Sequence, residues 1–229
     1  MNYVIAFSHE RYHDIFSNMP KRAGREFVIL YGKDALTFEK LSEIKPRYVL
    51  FPHWSYVIPS EIHENFECII FHMTDVPFGR GGSPLQNLIS RGIYETKISA
   101  LKCSAVIDAG PVYMKRPLSL YSLAEEIYIR AGKLIKEMII EIIEKEPVPV
   151  EQKSDPAYFA RRKPNDGNIA PLKELNEVFD YIRMLDADGY PNAFLETEYF
   201  KLEFQRPALK SGKVVADVII TQKQRGKDE

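Results

Sequence analysis

Short apolar runs rich in Val, Ile, Phe and Tyr recur along the first third of the chain, separated by polar or amphipathic stretches. The runs cover residues 3–7, 26–31, 47–51 and 68–71, and residues 37–44 form one of the amphipathic stretches between them. Continuous apolar runs are typical of buried parallel strands, and their alternation with helices favours an α/β sheet. We therefore predict an α/β fold with an open, mostly parallel, Rossmann-like sheet and helices on both faces.

A glycine- and proline-rich segment, residues 75–84, follows the fourth apolar run. It has glycine at positions 79, 81 and 82, which predicts an irregular loop rather than the interior of a helix or strand. Ser83 then suits a helix N-cap and Pro84 suits the first helical position. We expect a helix over residues 84–91 that ends before Gly92.

The second half of the chain predicts two more strands, one long helix and a small α+β unit. Ser122 and Glu125 have the spacing of a capping box, and apolar residues behind them recur at helical spacing as far as Ile142. Residues 146–156 hold three prolines and predict a linker. The remaining expected elements are strands over 98–102 and 111–114, a helix over 175–185, strands over 193–196, 200–206 and 214–221, and a frayed tail from 222.

Composition bears on the compartment and on the partner. No apolar run approaches the ~20 residues that span a bilayer, and residues 2–7 resemble a first strand more than a signal peptide. Cys68 and Cys103 lie in apolar runs, which suits free thiols in a reducing compartment. We therefore expect a cytoplasmic protein that does not bind a membrane.

Charge argues against a nucleic-acid partner. The formal net charge is −1, and residues 151–229 carry 13 Lys and Arg against 14 Asp and Glu. Proteins that hold nucleic acid usually present a basic patch or stripe. We therefore expect a small-molecule partner, with no DNA and with tRNA an unlikely partner.

Two residues have the chemistry and the position of a proton-transfer pair. His72 ends the fourth apolar run, at the carboxyl end of a strand, where open α/β sheets bind ligands. Asp108 follows a later apolar strand at a turn before Gly110, and a carboxylate bonded to an imidazole fixes its tautomer. The alternatives are a histidine that caps a strand end or binds a loop carbonyl, and an aspartate that shapes a turn. His9 and His13 have metal-ligand spacing without an evident third ligand, so no metal is expected.

The segments around His72 and Asp108 carry a family resemblance. Residues 72–84 resemble the loop of the formyltetrahydrofolate-dependent formyltransferases, where Asn-x-His-x-Ser-Leu-Leu-Pro precedes an Arg-Gly pair and a proline that opens a helix. Gly92, Thr96 and the turn from Asp108 to Gly110 are similar to the family's later Gly, Thr-Gly and Asp-x-Gly.

Two flanking segments extend this resemblance over most of residues 1–167. Residues 47–59 look like the family's strand and Leu-Pro segment, and residues 159–167 resemble the Arg-Arg-x-Pro-x-Asp linker of its sugar N-formyltransferases. The implied organisation is a formyltransferase catalytic domain over 1–150, a linker over 151–170 and a small α+β subdomain over 171–229.

The resemblance implies an enzyme that uses N10-formyltetrahydrofolate as co-substrate. His72 would act as base or oxyanion stabiliser, and Asp108 would orient it. Two sets of binding residues follow by the same resemblance. The expected cofactor-binding residues are Trp54, Tyr56, Ile58, Ser104, Val106 and Ile107. The expected substrate-binding residues are Thr74, Phe78, Arg80, Gly81, Arg161 and Arg162.

The acceptor is where the predictions divide. Because the region after the linker is short and not basic, the acceptor expected first is a nucleotide-linked amino sugar, such as a 4-amino-4,6-dideoxy sugar, with a possible homodimer by analogy. The first alternative is a methionyl-tRNA formyltransferase with a reduced RNA-binding domain. The second is a non-catalytic folate- or nucleotide-binding relative, because Ile70 stands where the family has its catalytic Asn and Lys97 where it has Gly. A formyl-folate hydrolase is a weaker possibility.

Overall fold

A computed structural model describes residues 1–20 and 24–223. The predicted frayed tail therefore lies almost wholly outside the described residues. Within them the chain forms two compact units. The first comprises the described residues of 1–84, 95–118 and 128–159, and the second comprises residues 85–94, 119–127 and 160–223.

The first unit contains a six-stranded sheet. Its strands are β1 (Asn2–Phe7), β2 (Glu26–Tyr31), β3 (Tyr48–His53), β4 (Cys68–His72), β6 (Glu95–Lys102) and β7 (Val112–Ser119). The spatial order is β2-β1-β3-β4-β6-β7, with parallel pairing from β2 through β4 and antiparallel pairing between β4 and β6. The predicted mostly parallel α/β sheet is confirmed. The apolar runs of β1, β3 and β4 are almost wholly buried, as the inner strands of a parallel sheet covered on both faces require, whereas the edge strand β2 buries only Leu30.

Short helices connect the parallel strands of the first unit. They are α1 (His13–Ser17), α2 (Phe38–Ile44) and α3 (Ser60–His63). The backbone N–H of Lys40 donates to the side chain of Thr37, which caps α2 at the position where the amphipathic stretch begins. Because β1, β3 and β4 run parallel, their carboxyl ends lie at the same edge of the sheet, and His72 is at the end of β4.

The glycine-rich segment departs from the prediction of an irregular loop. Phe78–Gly81 forms the short strand β5, which pairs in parallel with β8 (Ala157–Phe159). The helix after it, α4 (Pro84–Ile89), is shorter than predicted, and Ser83 has a φ of 47° rather than the extended backbone of an N-cap.

The long helix α5 (Ala124–Lys145) follows the predicted periodicity, but its capping partner differs. Ser122 Oγ and the N–H of Leu123 both donate to Glu126 Oε2, not to Glu125. Glu125 instead accepts from the N–H of Asp188. The carboxylate one position further along the first turn therefore makes the cap.

The second unit is an α+β arrangement around a buried ion pair. It contains α6 (Leu175–Leu185) and the antiparallel strands β9 (Ala193–Glu196), β10 (Phe200–Lys210) and β11 (Lys213–Gln222). Arg183 donates to Asp180 at 2.7 Å and to the carbonyl oxygens of Leu120 and Ser122. Tyr94 donates its hydroxyl to the same aspartate, so the buried charges of this core have partners.

No helix within residues 1–20 and 24–223 combines the length and the apolar character that crossing a membrane requires.

Candidate active site

His72 and Asp108 meet in the first unit. His72 is the last residue of β4, and Asp108 lies in the connection between β6 and β7. His72 Nδ1 and Asp108 Oδ2 are 3.5 Å apart, and both side chains are buried. Both atoms would act as acceptors without a proton between them, so this contact is favourable only when the pair holds a proton. The geometry suits the storage and transfer of a proton.

Strand β5 connects to both members of this pair. The carbonyl oxygen of Gly79 accepts from His72 Nε2 at 2.8 Å and from Thr74 Oγ1 at 3.2 Å. The N–H of Gly81 donates to Asp108 Oδ2 at 2.9 Å. Because a carbonyl accepts only, Nε2 carries a hydrogen in this arrangement. The strand thus fixes the orientation of both the imidazole and the carboxylate.

Glycine is required in β5 because β8 lies directly against it. A Cβ on Gly79 would lie 2.7 Å from the ring of Phe159 and 2.8 Å from a methyl carbon of Thr74. A Cβ on Gly81, whose φ is 106°, would overlap the carbonyl oxygen of Phe159. The glycines therefore allow the close approach of two backbones beside the site, rather than an irregular loop.

The turn that carries Asp108 is tightly held. Asp108 has a φ of 53°, a left-handed conformation that costs energy in any residue other than glycine. A Cβ on Gly110 would overlap the carbonyl oxygen of Lys102. Ser104 Oγ and the N–H of Ala109 both donate to the carbonyl of Val106. The side chains of Val106 and Ile107 are 58% and 62% exposed, so this turn presents apolar surface to an incoming ligand.

The predicted aromatic cofactor residues follow β3, which pairs in parallel with β4. The Trp54 ring packs edge-on against Phe51 and Tyr56, while Ile58 is buried in the core. Trp54 Nε1 is buried and has no hydrogen-bond partner. A buried donor without an acceptor is costly, and a polar ligand atom at this position would remove that cost.

Of the predicted substrate residues, one is buried, others are at least partly exposed in the first unit, and two belong to the second unit. Thr74 is fully buried, and its hydroxyl and carbonyl bond to Gly79 and Ser99, so its polar atoms serve the interior. Phe78 is 42% exposed, and Arg80 is partly exposed. Arg161 and Arg162 belong to the second unit, where Arg162 donates to the carbonyl of Asp166.

Two features beside the site were not predicted. Asp75 pairs with Lys97 at 2.8 Å and with Lys115 at 2.5 Å. Burial opposes its ionisation, but the hydrogen bonds from both lysines outweigh burial and hold the pKa of Asp75 below its ordinary value. Lys97, a departure from the family pattern, thus has a local partner. The other feature is Gln152, which bonds to the Asp108 turn from within the predicted linker. No local sequence signal marks either contact.

Ile70 lies among apolar neighbours. It packs against the buried cluster that includes Val49, Phe51 and Cys68. Its side chain donates no hydrogen bond, so it contributes nothing to an oxyanion. Among the described residues, no cluster of three or more His, Cys, Asp or Glu side chains suits a metal ion.

Comparison with known proteins identifies the family. Residues 164–221 match a family model described as the C-terminal domain of methionyl-tRNA formyltransferase. The chain is similar to a structure of methionyl-tRNA formyltransferase from Clostridium thermocellum, with 49% identity and a TM-score of 0.93 over 97% of this chain and all of that one. It is 23% identical to methionyl-tRNA formyltransferase of Rickettsia felis, over 92% of this chain and 80% of that protein. It spans 59%, 57% and 58% of three other curated methionyl-tRNA formyltransferases.

These relatives overturn the predicted acceptor. A nucleotide-linked amino sugar, with tRNA as an unlikely partner, was the wrong expectation. A 4-N formyltransferase from Francisella tularensis is similar in fold alone, at 13% identity and a TM-score of 0.65 over 97% of this chain and 98% of that one. The error came from length and net charge, because a charge sum over the whole chain or over residues 151–229 does not describe the field at one surface.

The predictions of a formyl-transferring enzyme and of N10-formyltetrahydrofolate as its co-substrate are confirmed at the level of the family. With a relative of 49% identity covered over its full length, this chain belongs to the formyltransferase family.

Proposed function

We propose that this chain transfers the formyl group of N10-formyltetrahydrofolate to the amino group of methionyl-tRNA. The observation that carries this proposal is the likeness to the Clostridium thermocellum methionyl-tRNA formyltransferase, which spans that chain completely. The match of residues 164–221 to the C-terminal domain of the same enzyme supports the acceptor independently of the catalytic unit.

The buried pair supplies the proton chemistry that this reaction needs. The acceptor amine attacks the formyl carbon, a tetrahedral oxyanion forms, the amine loses a proton and N10 of the folate gains one as it leaves. Once the imidazole has left the carbonyl of Gly79 and holds its single hydrogen on Nδ1, toward Asp108, its free Nε2 takes the proton from the amine and passes it to N10. Asp108 stabilises the imidazolium formed between these steps. The 3.5 Å contact between Nδ1 and Oδ2 supports this assignment.

Thr74 allows His72 to turn toward the substrate. In the structure, Nε2 of His72 is bonded to the carbonyl of Gly79, so the imidazole must exchange this bond for one to the reacting groups. Thr74 Oγ1 donates to the same carbonyl at 3.2 Å. Gly79 therefore keeps a hydrogen-bond donor when His72 turns away, and the exchange leaves no unsatisfied carbonyl.

Ile70 leaves oxyanion stabilisation to other groups. The side chain of Ile70 has no donor. We therefore assign this role to the protonated imidazole of His72, which lies two residues after Ile70 in the same strand. The expected consequence is a slower chemical step than in relatives that have Asn at this position.

The folate site in this proposal lies between the segment after β3 and the turn that carries Asp108. Trp54 and Tyr56 provide one apolar side, with Ile58 packed behind them in the core, and Ser104, Val106 and Ile107 provide the other. The unpartnered Nε1 of Trp54 and the exposure of Val106 and Ile107 support it. Phe78, Arg80 and the Gly81 backbone then face the acceptor, and Arg161 and Arg162 bind RNA phosphates. Free thiols at Cys68 and Cys103 suit a cytoplasmic enzyme.

The test is tetrahydrofolate release from N10-formyltetrahydrofolate with methionyl-tRNA, uncharged tRNA or free methionine as acceptor. We expect release with methionyl-tRNA only, and loss of release in His72→Ala and Asp108→Ala. Release without any acceptor would indicate hydrolysis instead. Folate binding without release would favour the non-catalytic relative that Ile70 suggests. Either result would overturn the proposal.

A further inference from the structure

Gln152 connects two parts of the candidate site through a single amide group. Its Nε2 donates to the carbonyl oxygens of Asp108 and Gly110, each at 2.8 Å. Its Oε1 accepts from Arg80, at 3.2 Å from Nε and 2.8 Å from Nη2. A side-chain amide has two N–H donors and one oxygen with two lone pairs, so every hydrogen-bonding position of Gln152 is used.

The orientation of this amide is fixed by its partners. A guanidinium only donates and a backbone carbonyl only accepts, so Oε1 must face Arg80 and Nε2 must face the turn. A glutamate at this position would place a carboxylate oxygen against the two carbonyl oxygens, and all three only accept hydrogen bonds. Methionine, of similar length, would satisfy neither side. Only a side-chain amide with the reach of glutamine makes both connections.

The backbone places Gln152 beside the turn. Val150 and Val112 exchange two hydrogen bonds, at 2.8 and 2.9 Å, in an antiparallel bridge at the start of β7. Further along, Ala157–Phe159 pairs with β5. Residues 150–159 are thus held at both ends against the first unit, and Gln152 lies between the two attachments.

We propose that Gln152 is a positioning residue that holds the Asp108 turn and Arg80 in register. The turn needs such support because Asp108 has a left-handed backbone and Oδ2 of the same residue must reach both Gly81 and His72. A displacement of the turn by about 1 Å would move the carboxylate away from the imidazole, and such displacements cost about 100-fold in rate. As a role in formyl transfer, this inference rests on the proposed function.

The variant that tests it is Gln152→Met, with Lys153→Met as control. Lys153 is the next residue and is exposed, so the control introduces the same methionine outside the network. We expect Gln152→Met to lower kcat for formyl transfer about 10- to 100-fold with KM for the folate changed less than threefold. In an Asp108→Asn background the same substitution should change kcat less than twofold, because its effect passes through Asp108.

A second readout does not depend on activity. The N–H of Gly81 donates to Asp108 Oδ2, so its hydrogen exchange reports the position of the carboxylate. Gln152→Met should accelerate exchange at Gly81 at least tenfold, and Lys153→Met should leave it unchanged. Unchanged exchange and kcat in Gln152→Met, or a full effect in the Asp108→Asn background, would overturn the inference. A wild-type chain inactive on methionyl-tRNA that still shows faster Gly81 exchange in the variant would refute the proposed function alone.

Discussion

The strand pair β5–β8 and the hairpin β10–β11 place glycine under opposite conditions. Gly79 and Gly81 lie where a Cβ would collide with Phe159, whereas Gly212 in the hairpin turn has no atom within 4 Å of that position. The hairpin also exposes Val218, Ile219 and Ile220 by 43%, 49% and 63%. The two backbones of β5 and β8 thus approach closely where the imidazole of His72 and the carboxylate of Asp108 are held together, and the turn of the hairpin has no comparable constraint.

The largest expected difference between the two regions is in activity. Asp108→Asn should lower kcat about 1000-fold, because the amide neither stabilises an imidazolium nor enforces the same tautomer of His72. Asp217→Asn removes a carboxylate of β11 that pairs with Arg206 on the surface, and it should leave kcat within twofold. Steady-state formyl transfer measures both. Comparable losses in the two variants would show that Asp108 has no special role.

Backbone substitutions give the next largest effect. Gly81→Ala should lower the free energy of unfolding by about 3 kcal/mol or more, because it combines a left-handed φ with overlap against the carbonyl of Phe159. Gly212→Ala introduces only the left-handed strain, at a φ of 69°, and should cost about 1 kcal/mol. Urea unfolding of both variants tests the contrast, and equal losses would contradict it.

Much of this contrast was not accessible from the sequence. The strands β1 to β4 were predicted to within two residues, because continuous apolar runs are buried wherever a parallel sheet forms. The helix Leu175–Leu185 was predicted with the bounds that the structure has. Strand β5 was missed because its partner, β8, lies about eighty residues further along, and only that pairing makes glycine necessary there.

The site shows the same division between local and distant information. His72 and Asp108 were predicted as partners from their positions at strand ends, together with the family resemblance, and the structure places them 3.5 Å apart. Gln152 has no local signature, and its bonds to the Asp108 turn span 44 and 42 residues. The acceptor was mispredicted because a balanced total charge says nothing about where charges lie.

Acid should destabilise the first unit through His53, at the end of β3. Burial, aided by the neighbouring charges of Arg11 and His9, lowers the pKa of His53 from 6.5 to about 4. The folded state therefore favours neutral His53. The stabilisation that neutral His53 gives to the fold is fully present above pH 6.5 and is lost as the pH falls toward 4. This term should make the free energy of unfolding about 2 kcal/mol smaller at pH 5 than at pH 8.

His53→Gln is the matched variant for this effect. Urea unfolding at pH 8 and pH 5 should show a smaller difference between the two conditions in the variant than in the wild type. An identical pH dependence would exclude His53 as the source. Tyr12 stacks on this ring at 5.2 Å, so loss of that contact would lower stability at both pH values and would not alter the difference.

The smallest expected effect tests the exposure of the hairpin. Ile69→Val in β4 removes a fully buried methyl group and should cost about 1 kcal/mol, while Ile220→Val should cost less than about 0.5 kcal/mol. The difference between the two variants in free energy of unfolding should be the same at low and high protein concentration. A cost at Ile220 that matches Ile69 and grows with concentration would show that this face is covered by a second copy, as the predicted homodimer requires.

The most direct test of the account is a single-turnover measurement with His72→Asn. Enzyme saturated with N10-formyltetrahydrofolate is mixed with methionyl-tRNA, and formyl transfer is followed in time alongside folate affinity. We expect a rate constant about 1000-fold below that of the wild type with folate affinity within threefold, because His72 moves protons rather than holding the folate. A rate constant within threefold of the wild type would contradict it.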